Sequence, residues 1–308
     1  MTPVAVCIVG FRDPHEILAC LDALSQSEHQ DYEVVICENG GADAVADMNR
    51  QMPATLTGGQ PVTVIDAGGN LGFAGGVNRA MQARPDARAW WVLNPDTRPE
   101  PAAMGALLRR LEQGDCAMAG GVLYRPIGEV QGYGGRWLHW AARPVSLGNG
   151  EAMGSPVDTA AVEAQLDYIL GASMMISPAL VERIGLMRED YFLYAEEVEW
   201  GLRAKKAGLK LGFAVDARVC HMQGTTTGSN LRLDQRPRMP IYLDERNKLN
   251  VVRDTAPMFL PVAIPMALIL TLLRFARRGA WKQQGYAVSG WLAGIANRRG
   301  PPPWLTIG

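Results

Sequence analysis

The sequence has no excess of charge of either sign and little cysteine. Its 30 basic and 31 acidic residues leave a formal net charge of -1 over 308 residues, which excludes a general electrostatic attraction to nucleic acid, so we expect no nucleic-acid partner. The five cysteines form no CxxC pair, and three of them lie in apolar runs, as reduced core thiols of a cytosolic protein do. No basic segment precedes the first apolar run, so we expect no export signal.

The sequence also lacks two common glycine-rich phosphate-binding motifs. No GK[ST] element exists for a P-loop, and the glycines of residues 70–78 neither have GxGxxG spacing nor follow the first strand-like run. This segment still has the composition of a turn that leads into a helix, whose free backbone N–H groups attract phosphate. A helix start whose glycines allow close packing explains it equally well.

The N-terminal half alternates apolar runs with helix-like segments, which predicts βαβ units and a parallel sheet. A helix start is predicted at Asp13 as N-cap, with Pro14 in the first helical position and Glu16 completing a capping box. Polar or glycine-containing residues follow each run, and the ligand crevice of an open parallel sheet lies at these ends. The predicted strands are residues 4–9, 33–37, 62–65 and 89–93.

Two polar side chains follow the fourth predicted strand, in the sequence Asn94-Pro95-Asp96. Alternation along an extended chain places Asn94 and Asp96 on the same side. One carboxylate at the rim of a nucleotide crevice suits a Mg²⁺ or Mn²⁺ ion that bridges substrate phosphates. Turn chemistry explains the same residues equally well.

Three carboxylates, Glu196, Glu197 and Glu199, lie close together in an aromatic and aliphatic setting. Adjacent side chains on a helix diverge by about 100°, so Glu196 and Glu197 face one target only if a helix begins there. The helix macrodipole favours carboxylates at such a start. The cluster is either a solvated helix start or a catalytic base with its neighbours.

Together these segments resemble the nucleotide-sugar-dependent glycosyltransferases of family 2, with the GT-A fold, and most closely their bacterial rhamnosyltransferase-like branch. The resemblance covers about residues 4–253. It rests on VGFR (9–12), VICENG (35–40), NLGFAGGVN (70–78), LNPDT (93–97), DYILGAS (167–173) and FLYAEEVE (192–199). It implies an α/β fold with a Rossmann-like, mostly parallel central sheet flanked by helices. It also implies a catalytic domain at 1–240, with a nucleotide-sugar half at 1–119 and an acceptor half at 120–240, followed by a C-terminal helical appendage at 241–308.

The resemblance assigns roles to individual residues. The base is Glu197, where the family usually has Asp; either the acceptor sits slightly farther out or Glu196 shares the role. Asp96 is the main metal carboxylate, and His221 helps to bind metal or diphosphate. The donor-binding residues are Gly10, Phe11, Arg12, Glu38, Asn70, Gly72, Phe73, Gly75, Gly76, Asn78, Asn94 and Asp96. The acceptor-binding residues are Asp167, Gly171, Ala172, Trp137 and Glu199, of which Glu199 either holds the acceptor or orients a neighbour.

The implied reaction is a metal-assisted single displacement that inverts the anomeric centre. The favoured donor is dTDP-rhamnose, and the acceptor is a hydroxyl of a glycan or polyprenyl-linked glycan in cell-surface polysaccharide synthesis. Two other classes stay open. A non-catalytic sugar-nucleotide or carbohydrate binding module draws support from the Glu-for-Asp exchange at the base. A sugar nucleotidyltransferase expects an N-terminal glycine-rich, basic phosphate loop, which VGFR matches poorly.

Two further regions carry open interpretations. Residues 120–163, densest in glycine and tryptophan at 132–140, form either a mobile acceptor lid or a hairpin whose tryptophans pack on the core. Arg246 either reaches the donor diphosphate or forms a surface ion pair with Asp244 or Glu245.

Residues 256–273 contain no charged residue over 18 positions, but they include three prolines and are followed by four cations within nine residues. This length is at the lower limit for a membrane span, and the prolines disfavour a straight span. We favour a helix from about Pro265 that lies in the membrane interface, with the cations of 256–282 at the headgroups. Packing in a homodimer or against the domain, or a true span, are the alternatives. The expected location is the cytoplasm, at the inner face of the plasma membrane.

Overall fold

The computed structural model describes residues 2–222, 228 and 231–305. The strands of this part of the chain are β1 (Val4–Gly10), β2 (Tyr32–Glu38), β3 (Val62–Asp66), β4 (Trp90–Leu93), β5 (Thr97–Pro99), β6 (Met118–Arg125), β7 (Glu129–Gly132), β8 (Gly135–Leu138), β9 (Arg143–Ser146), β10 (Ser173–Ile176) and β11 (Leu211–His221). The helices are α1 (Pro14–Leu24), α2 (Ala42–Gln51), α3 (Gly72–Gln82), α4 (Ala103–Glu112), α5 (Thr159–Gln165), α6 (Pro178–Ile184), α7 (Glu196–Lys206), α8 (Arg238–Thr255), α9 (Leu260–Ala276) and α10 (Trp281–Ile295). Short 3-10 turns occur at His139–Ala141, Glu189–Tyr191 and Pro257–Phe259.

The main sheet has the order β3-β2-β1-β4-β10-β6-β11-β5, with β7 paired to β6. The strands β3, β2, β1 and β4 are mutually parallel, as the alternation of strands and helices predicts. Beyond β4 the sheet is mixed, because β10 runs antiparallel to both β4 and β6. The α/β class is therefore confirmed, and the parallel character is concentrated in the first half of the chain.

The first strand is covered by apolar layers on both faces, which explains its unbroken apolar sequence. Val4, Val6 and Ile8 pack into one cluster, whereas Ala5 and Cys7 pack into a second cluster on the opposite face. The predicted helix start that follows β1 is also confirmed. The Asp13 side chain accepts a hydrogen bond from the backbone N–H of Glu16 at 3.4 Å, and Pro14 opens α1. The five cysteines are free thiols.

The three C-terminal helices form a region that packs against α7. A glycine permits the closest approach between α8 and α10, because a Cβ atom at Gly290 would lie 2.3 Å from the carbonyl oxygen of Tyr242. Helix α9 buries one stripe at four-residue spacing, consisting of Ala263, Ala267, Thr271 and Phe275. The predicted domain boundary between residues 240 and 241 falls inside α8. The division into a catalytic domain and a C-terminal appendage stays a prediction.

Candidate active site

The carboxyl ends of β1 and β2 bring together Gly10, Phe11, Arg12 and Glu38. The backbone N–H groups of Arg12 and Gly40 both donate to Oε1 of Glu38, at 3.0 and 2.7 Å. The second oxygen, Oε2, is buried and has no hydrogen-bond partner among the described residues. Burial raises the pKa of the Glu38 carboxyl, although the two N–H donors oppose the change. The guanidinium of Arg12 donates to the carbonyl of Gly40, and Phe11 is 37% exposed beside it.

The glycine-rich turn before α3 is closed by contacts with the chain itself. The N–H of Gly72 donates to Oδ1 of Asn70 at 3.0 Å, and the N–H of Phe73 donates to the carbonyl of Phe192 at 2.7 Å. Gly72 has a φ of +74°, and a Cβ atom there would lie 2.0 Å from the carbonyl oxygen of Phe192. These amides are therefore not free for phosphate. The close-packing interpretation fits Gly72 and Phe73, and the donor contact predicted for these two residues stays a prediction.

The remaining polar and glycine residues of α3 are also structural. Gly75 and Gly76 are buried, and Cβ atoms there would lie 2.6 and 2.7 Å from neighbouring side chains. Asn78 is buried, donates to the carbonyl of Met187 and to Oε1 of Glu189, both at 2.9 Å, and accepts from the N–H of Met187 at 3.1 Å. Donor binding by Gly75, Gly76 and Asn78 stays a prediction, whereas their packing and hydrogen bonds are structural. These residues dock α3 against the segment that leads to the acidic cluster.

The two predicted metal ligands lie next to each other. Strand β11 pairs with β5 so that His221 faces Thr97, and Nε2 of His221 comes within 3.3 Å of Oδ1 of Asp96. Nδ1 of the imidazole lies 2.8 Å from Oε1 of Gln131, an arrangement that holds the ring in one orientation. Nε2 is buried without another hydrogen-bond partner in the described part of the chain. An imidazole nitrogen beside a carboxylate fits a divalent cation.

No group of three or more His, Cys, Asp or Glu side chains gathers as a metal site within residues 2–222, 228 and 231–305. The protein ligands available there are therefore Asp96 and His221, and substrate oxygens or water would complete the shell, as is usual for ions that bridge phosphates. Gln131, which supports His221, carries no sequence signal, because it lies 90 residues from its partner.

A short path connects this rim to the acidic cluster. The N–H of Asn94 donates to the carbonyl of Ala172 at 3.0 Å, which places DYILGAS beside LNPDT. A Cβ atom at the preceding residue, Gly171, would lie 3.6 Å from Cγ of Glu197. The absence of a side chain at Gly171 therefore keeps the space beside Glu197 open. Thr97 Oγ1 also donates to the carbonyl of Asn94 at 2.7 Å, so the turn interpretation of this segment holds as well.

Helix α7 begins at Glu196 itself, which is the condition under which two adjacent carboxylates serve one site. Glu196 is only 2% exposed, whereas Glu197 is half-buried. Burial raises the pKa of both carboxyls; the charge of Glu197 raises that of Glu196 further, and Asp244 does the same for Glu197. The raised pKa makes the Glu197 carboxylate a stronger proton acceptor, and its partial exposure leaves it accessible to a substrate.

The segment before α7 is held in a costly backbone conformation. Phe192, Tyr194 and Ala195 have φ values of 69°, 73° and 69°, each of which costs about 1–3 kcal/mol for a residue other than glycine. A single side chain compensates: Nδ2 of Asn247 donates to the carbonyls of Tyr191, Leu193 and Tyr194 at 3.0, 2.9 and 2.8 Å. Asn247 therefore positions the acidic cluster from α8.

Arg246 belongs to the same support. It is 1% exposed and donates to the carbonyls of Tyr191 and Gly300, at 2.8 and 2.6 Å. Neither predicted role holds, since its side chain lies beneath the loop, and Lys248 is the residue that pairs with Asp244 and Glu245.

Replacing Asn247 with alanine is expected to lower the free energy of unfolding by about 2–4 kcal/mol, because buried carbonyls lose their donor. Catalytic activity at this site should fall further than the loss of stability explains, because the strained segment before α7 relaxes. The matched control is Asn250→Ala, a buried asparagine on the same helix that donates to one carbonyl at 3.1 Å. Urea unfolding and turnover measure both effects. Equal activity in the two variants would show that Asn247 does not position the loop.

Two residues predicted to bind the acceptor have structural partners, and their acceptor contacts stay predictions. Trp137 is 4% exposed within the hairpin formed by β8 and β9, so the hairpin interpretation fits it better than the lid. Asp167 accepts from the N–H of Trp137 at 2.8 Å and from Nζ of Lys205 at 2.6 Å, and it therefore anchors the hairpin to α7. The exposed tryptophan of the segment is Trp140, at 46%.

Glu199 is committed to an ion pair inside the protein. It is 3% exposed, and Arg203 donates to both of its oxygens, at 2.9 and 3.1 Å. Arg203 also donates to the carbonyl of Leu186 at 2.9 Å. This geometry fits the orienting role of Glu199 and not direct contact with an acceptor.

Comparison with protein families finds one that spans most of the chain. The sequence model described as "Glycosyltransferase like family 2" matches residues 2–239. The N-acetylglucosaminyl-diphospho-decaprenol L-rhamnosyltransferase of Mycobacterium tuberculosis is 25% identical over 232 residues, which is 68% of this chain and 72% of that protein. The low-salt glycan biosynthesis hexosyltransferase Agl10 of Haloferax volcanii is 27% identical over 191 residues, or 60% of this chain and 58% of that protein.

Solved structures agree on the fold. The mannosyltransferase PcManGT from Pyrobaculum calidifontis, in complex with GDP-Man and Mn²⁺, aligns with a TM-score of 0.57 at 14% identity, covering 96% of this chain and 87% of that one. GalNAc-T7 with UDP, GalNAc and Mn²⁺ aligns with a TM-score of 0.58 at 14% identity, covering 80% of this chain and 48% of that one.

Proposed function

The chain belongs to glycosyltransferase-like family 2, and from this premise we propose that it transfers a sugar, with rhamnose from dTDP-rhamnose favoured, to a lipid-linked glycan by inverting displacement. The observation that carries the mechanism is the position of Glu197, a half-buried carboxylate of raised pKa beside the open space at Gly171. The relatives named above support a sugar transferase, and the rhamnosyltransferase of M. tuberculosis supports the choice of donor and acceptor.

The donor half of the site is built from the ends of β1, β2 and β4. Oε2 of Glu38, which is buried without a partner among the described residues, would accept a hydrogen bond from the nucleoside, since a buried acceptor without a partner is costly unless a ligand supplies the donor. Asn94 presents a second buried oxygen, Oδ1, without a partner among the described residues.

A divalent cation, Mg²⁺ or Mn²⁺, when bound, would neutralise the charge that develops on the leaving diphosphate. Asp96 and His221 are the residues that would hold it, because their facing oxygen and nitrogen lie 3.3 Å apart in a buried setting. Both structural neighbours named above were solved with Mn²⁺. Gln131 keeps the imidazole oriented by its contact with Nδ1.

Glu197 acts on the acceptor side. Its carboxylate takes the proton of the attacking hydroxyl while the new bond to the anomeric carbon forms, and the bond to the diphosphate breaks with its electron pair on the leaving oxygen. One base is sufficient, because the diphosphate leaves without needing a proton from a second carboxyl group. The raised pKa of Glu197 increases its strength as a base.

The proposal is tested with a panel of nucleotide sugars, Mn²⁺ or Mg²⁺, and N-acetylglucosaminyl-diphospho-polyprenol. Release of nucleoside diphosphate that depends on the acceptor supports a transferase, with dTDP-rhamnose expected to be fastest. Binding of a nucleotide sugar without any release would instead identify a binding module, and release of inorganic diphosphate from a nucleoside triphosphate would identify a nucleotidyltransferase.

We further propose that the protein is cytoplasmic and attached to the inner face of the membrane through α9. The segment Pro257–Ala276 has 20 residues and is, by length and composition, apolar enough to cross a membrane. Only 22% of its most apolar 18-residue stretch is buried inside the protein, so most of the stretch is accessible to a membrane. Its buried stripe faces the protein, and Val262, Ile269 and Leu273 are 52%, 50% and 47% exposed. A helix with one buried stripe and one exposed apolar face suits an interfacial position.

The double substitution Ile269→Glu/Leu273→Glu in the full chain is expected to reduce binding to phosphatidylglycerol vesicles by at least about tenfold, because charged groups enter the apolar face. Sedimentation with vesicles measures the effect. Ile127→Glu is the matched control, since Ile127 is 77% exposed far from α9 in sequence and should bind like the unaltered protein. Unchanged vesicle binding, together with conversion of a dimer to a monomer, would assign the face to a homodimer instead.

A further inference from the structure

A cavity lies between α8 and α9, beside the loop of residues 192–195 that precedes α7. It has a volume of about 190 Å³, and its lining includes Tyr194, Arg236, Asp244, Glu245 and Arg274. Tyr194 precedes Glu197 by three residues, and the charge of Asp244 acts on the Glu197 carboxyl. The cavity is therefore adjacent to the position at which an acceptor hydroxyl would be deprotonated.

The two carboxylates of this cavity are satisfied by other groups. Nζ of Lys248 lies 2.7 Å from Asp244 and 3.1 Å from Glu245, and Thr271 donates to the second oxygen of Glu245 at 2.7 Å. Arg274 approaches the same carboxylates only at 3.9 and 3.8 Å. The guanidinium of Arg274 is thus incompletely paired.

Arg236 has no carboxylate within salt-bridge distance in the described part of the chain. Its Nε donates to the carbonyl of Leu231 at 2.9 Å, which orients the guanidinium and leaves its terminal nitrogens for another acceptor. Burial and the neighbouring Arg274 lower the pKa of Arg236. An anion that bridges Arg236 and Arg274 would offset both the cost of burying the Arg236 charge and the repulsion between the two guanidinium groups.

We propose that this cavity binds the diphosphate of a polyprenyl-diphosphate-linked acceptor, with Arg236 and Arg274 as its cationic contacts. Guanidinium groups bind phosphate oxygens through paired, charge-assisted hydrogen bonds. The isoprenoid chain would then follow the exposed apolar face of α9, which continues from Arg274 through Leu273 and Ile269. The sugar attached to the diphosphate would extend past Tyr194 towards Glu197. This inference rests on the proposed transfer to a lipid-linked glycan, and it names the contact that selects such an acceptor.

The test measures binding of geranylgeranyl diphosphate in neutral detergent, with excess dTDP present to occupy the donor site. Arg236→Gln and Arg274→Gln are each expected to raise the Kd at least tenfold, whereas geranylgeraniol, which lacks the diphosphate, should bind weakly to the unaltered protein. The matched control is Arg232→Gln, because Arg232 is on the same segment with a side chain that is 79% exposed. It should leave the Kd unchanged.

Two results would overturn the proposal. Equal affinity of the unaltered and substituted proteins for geranylgeranyl diphosphate would remove the arginines from the site. Loss of binding to phosphatidylglycerol vesicles in the substituted proteins, with prenyl diphosphate affinity intact, would assign the arginines to lipid headgroups. Thermal unfolding checks each variant, and Arg274, which is partly exposed, provides an independent result if Arg236→Gln does not fold. Because no turnover is involved, a failure of the proposed transferase reaction would leave this measurement unaffected.

Discussion

Glutamine in place of Glu197 is expected to reduce glycosyl transfer by roughly 10²- to 10⁴-fold, the contribution of a positioned general base. The amide has nearly the shape of the carboxyl group but cannot accept the proton of the acceptor hydroxyl. Donor affinity should stay within about twofold of the original value, because the donor contacts proposed above lie at Glu38, Asn94 and Asp96. Single-turnover transfer and calorimetric binding of the nucleotide sugar separate the two quantities.

Two companion variants make this result specific to one carboxylate. Glu196→Gln should have a smaller effect on transfer, since Glu196, the first residue of α7, is only 2% exposed. Glu197→Asp should keep measurable transfer at a reduced rate, because a displacement of about 1 Å can cost about 10²-fold. A larger loss of transfer in Glu196→Gln than in Glu197→Gln would move the base to Glu196.

Asp96→Asn is expected to lower transfer by roughly 10²- to 10³-fold, the usual effect of removing one group that stabilises developing negative charge. The substitution keeps the size of the side chain and removes the charge that faces Nε2 of His221 at 3.3 Å. The affinity for Mn²⁺ in the presence of nucleoside diphosphate should fall with it, by at least about tenfold. Electron paramagnetic resonance of free Mn²⁺ reports this affinity without turnover.

The matched control for Asp96 is Asp216→Asn, because Asp216 is an exposed carboxylate on β11, the strand that carries His221. It should change neither Mn²⁺ affinity nor transfer. If Asp96→Asn bound Mn²⁺ as tightly as the unaltered protein, Asp96 and His221 would form only a buried hydrogen-bonding pair.

Local sequence patterns predicted the elements that depend on local physics. The strand β1 was predictable because burial on both faces demands an unbroken apolar run, and the start of α1 because its capping groups are adjacent in sequence. The condition that a helix begin at Glu196 also followed from the divergence of neighbouring side chains. Each of these rests on residues within one turn or one strand of each other.

The structural roles of the α3 residues depend on contacts that sequence spacing does not encode. Gly72 and Phe73 meet Phe192 about 120 residues later, and Asn78 meets Met187, 109 residues away. The motif therefore gave no indication of their role in docking α3 against the segment that leads to α7. Asn247 supports that segment from 53 to 56 residues away, and its motif gave no indication of which carbonyls it would contact.

The anomeric configuration of the product tests the central claim most directly. A single displacement assisted by one base, Glu197, requires that the sugar in the product have the configuration opposite to that in the nucleotide-sugar donor. Proton and carbon NMR of the glycoside formed early in the reaction measures this. Inversion is the predicted result, and retention of the donor configuration would contradict the account, because it would require a second displacement or a different nucleophile.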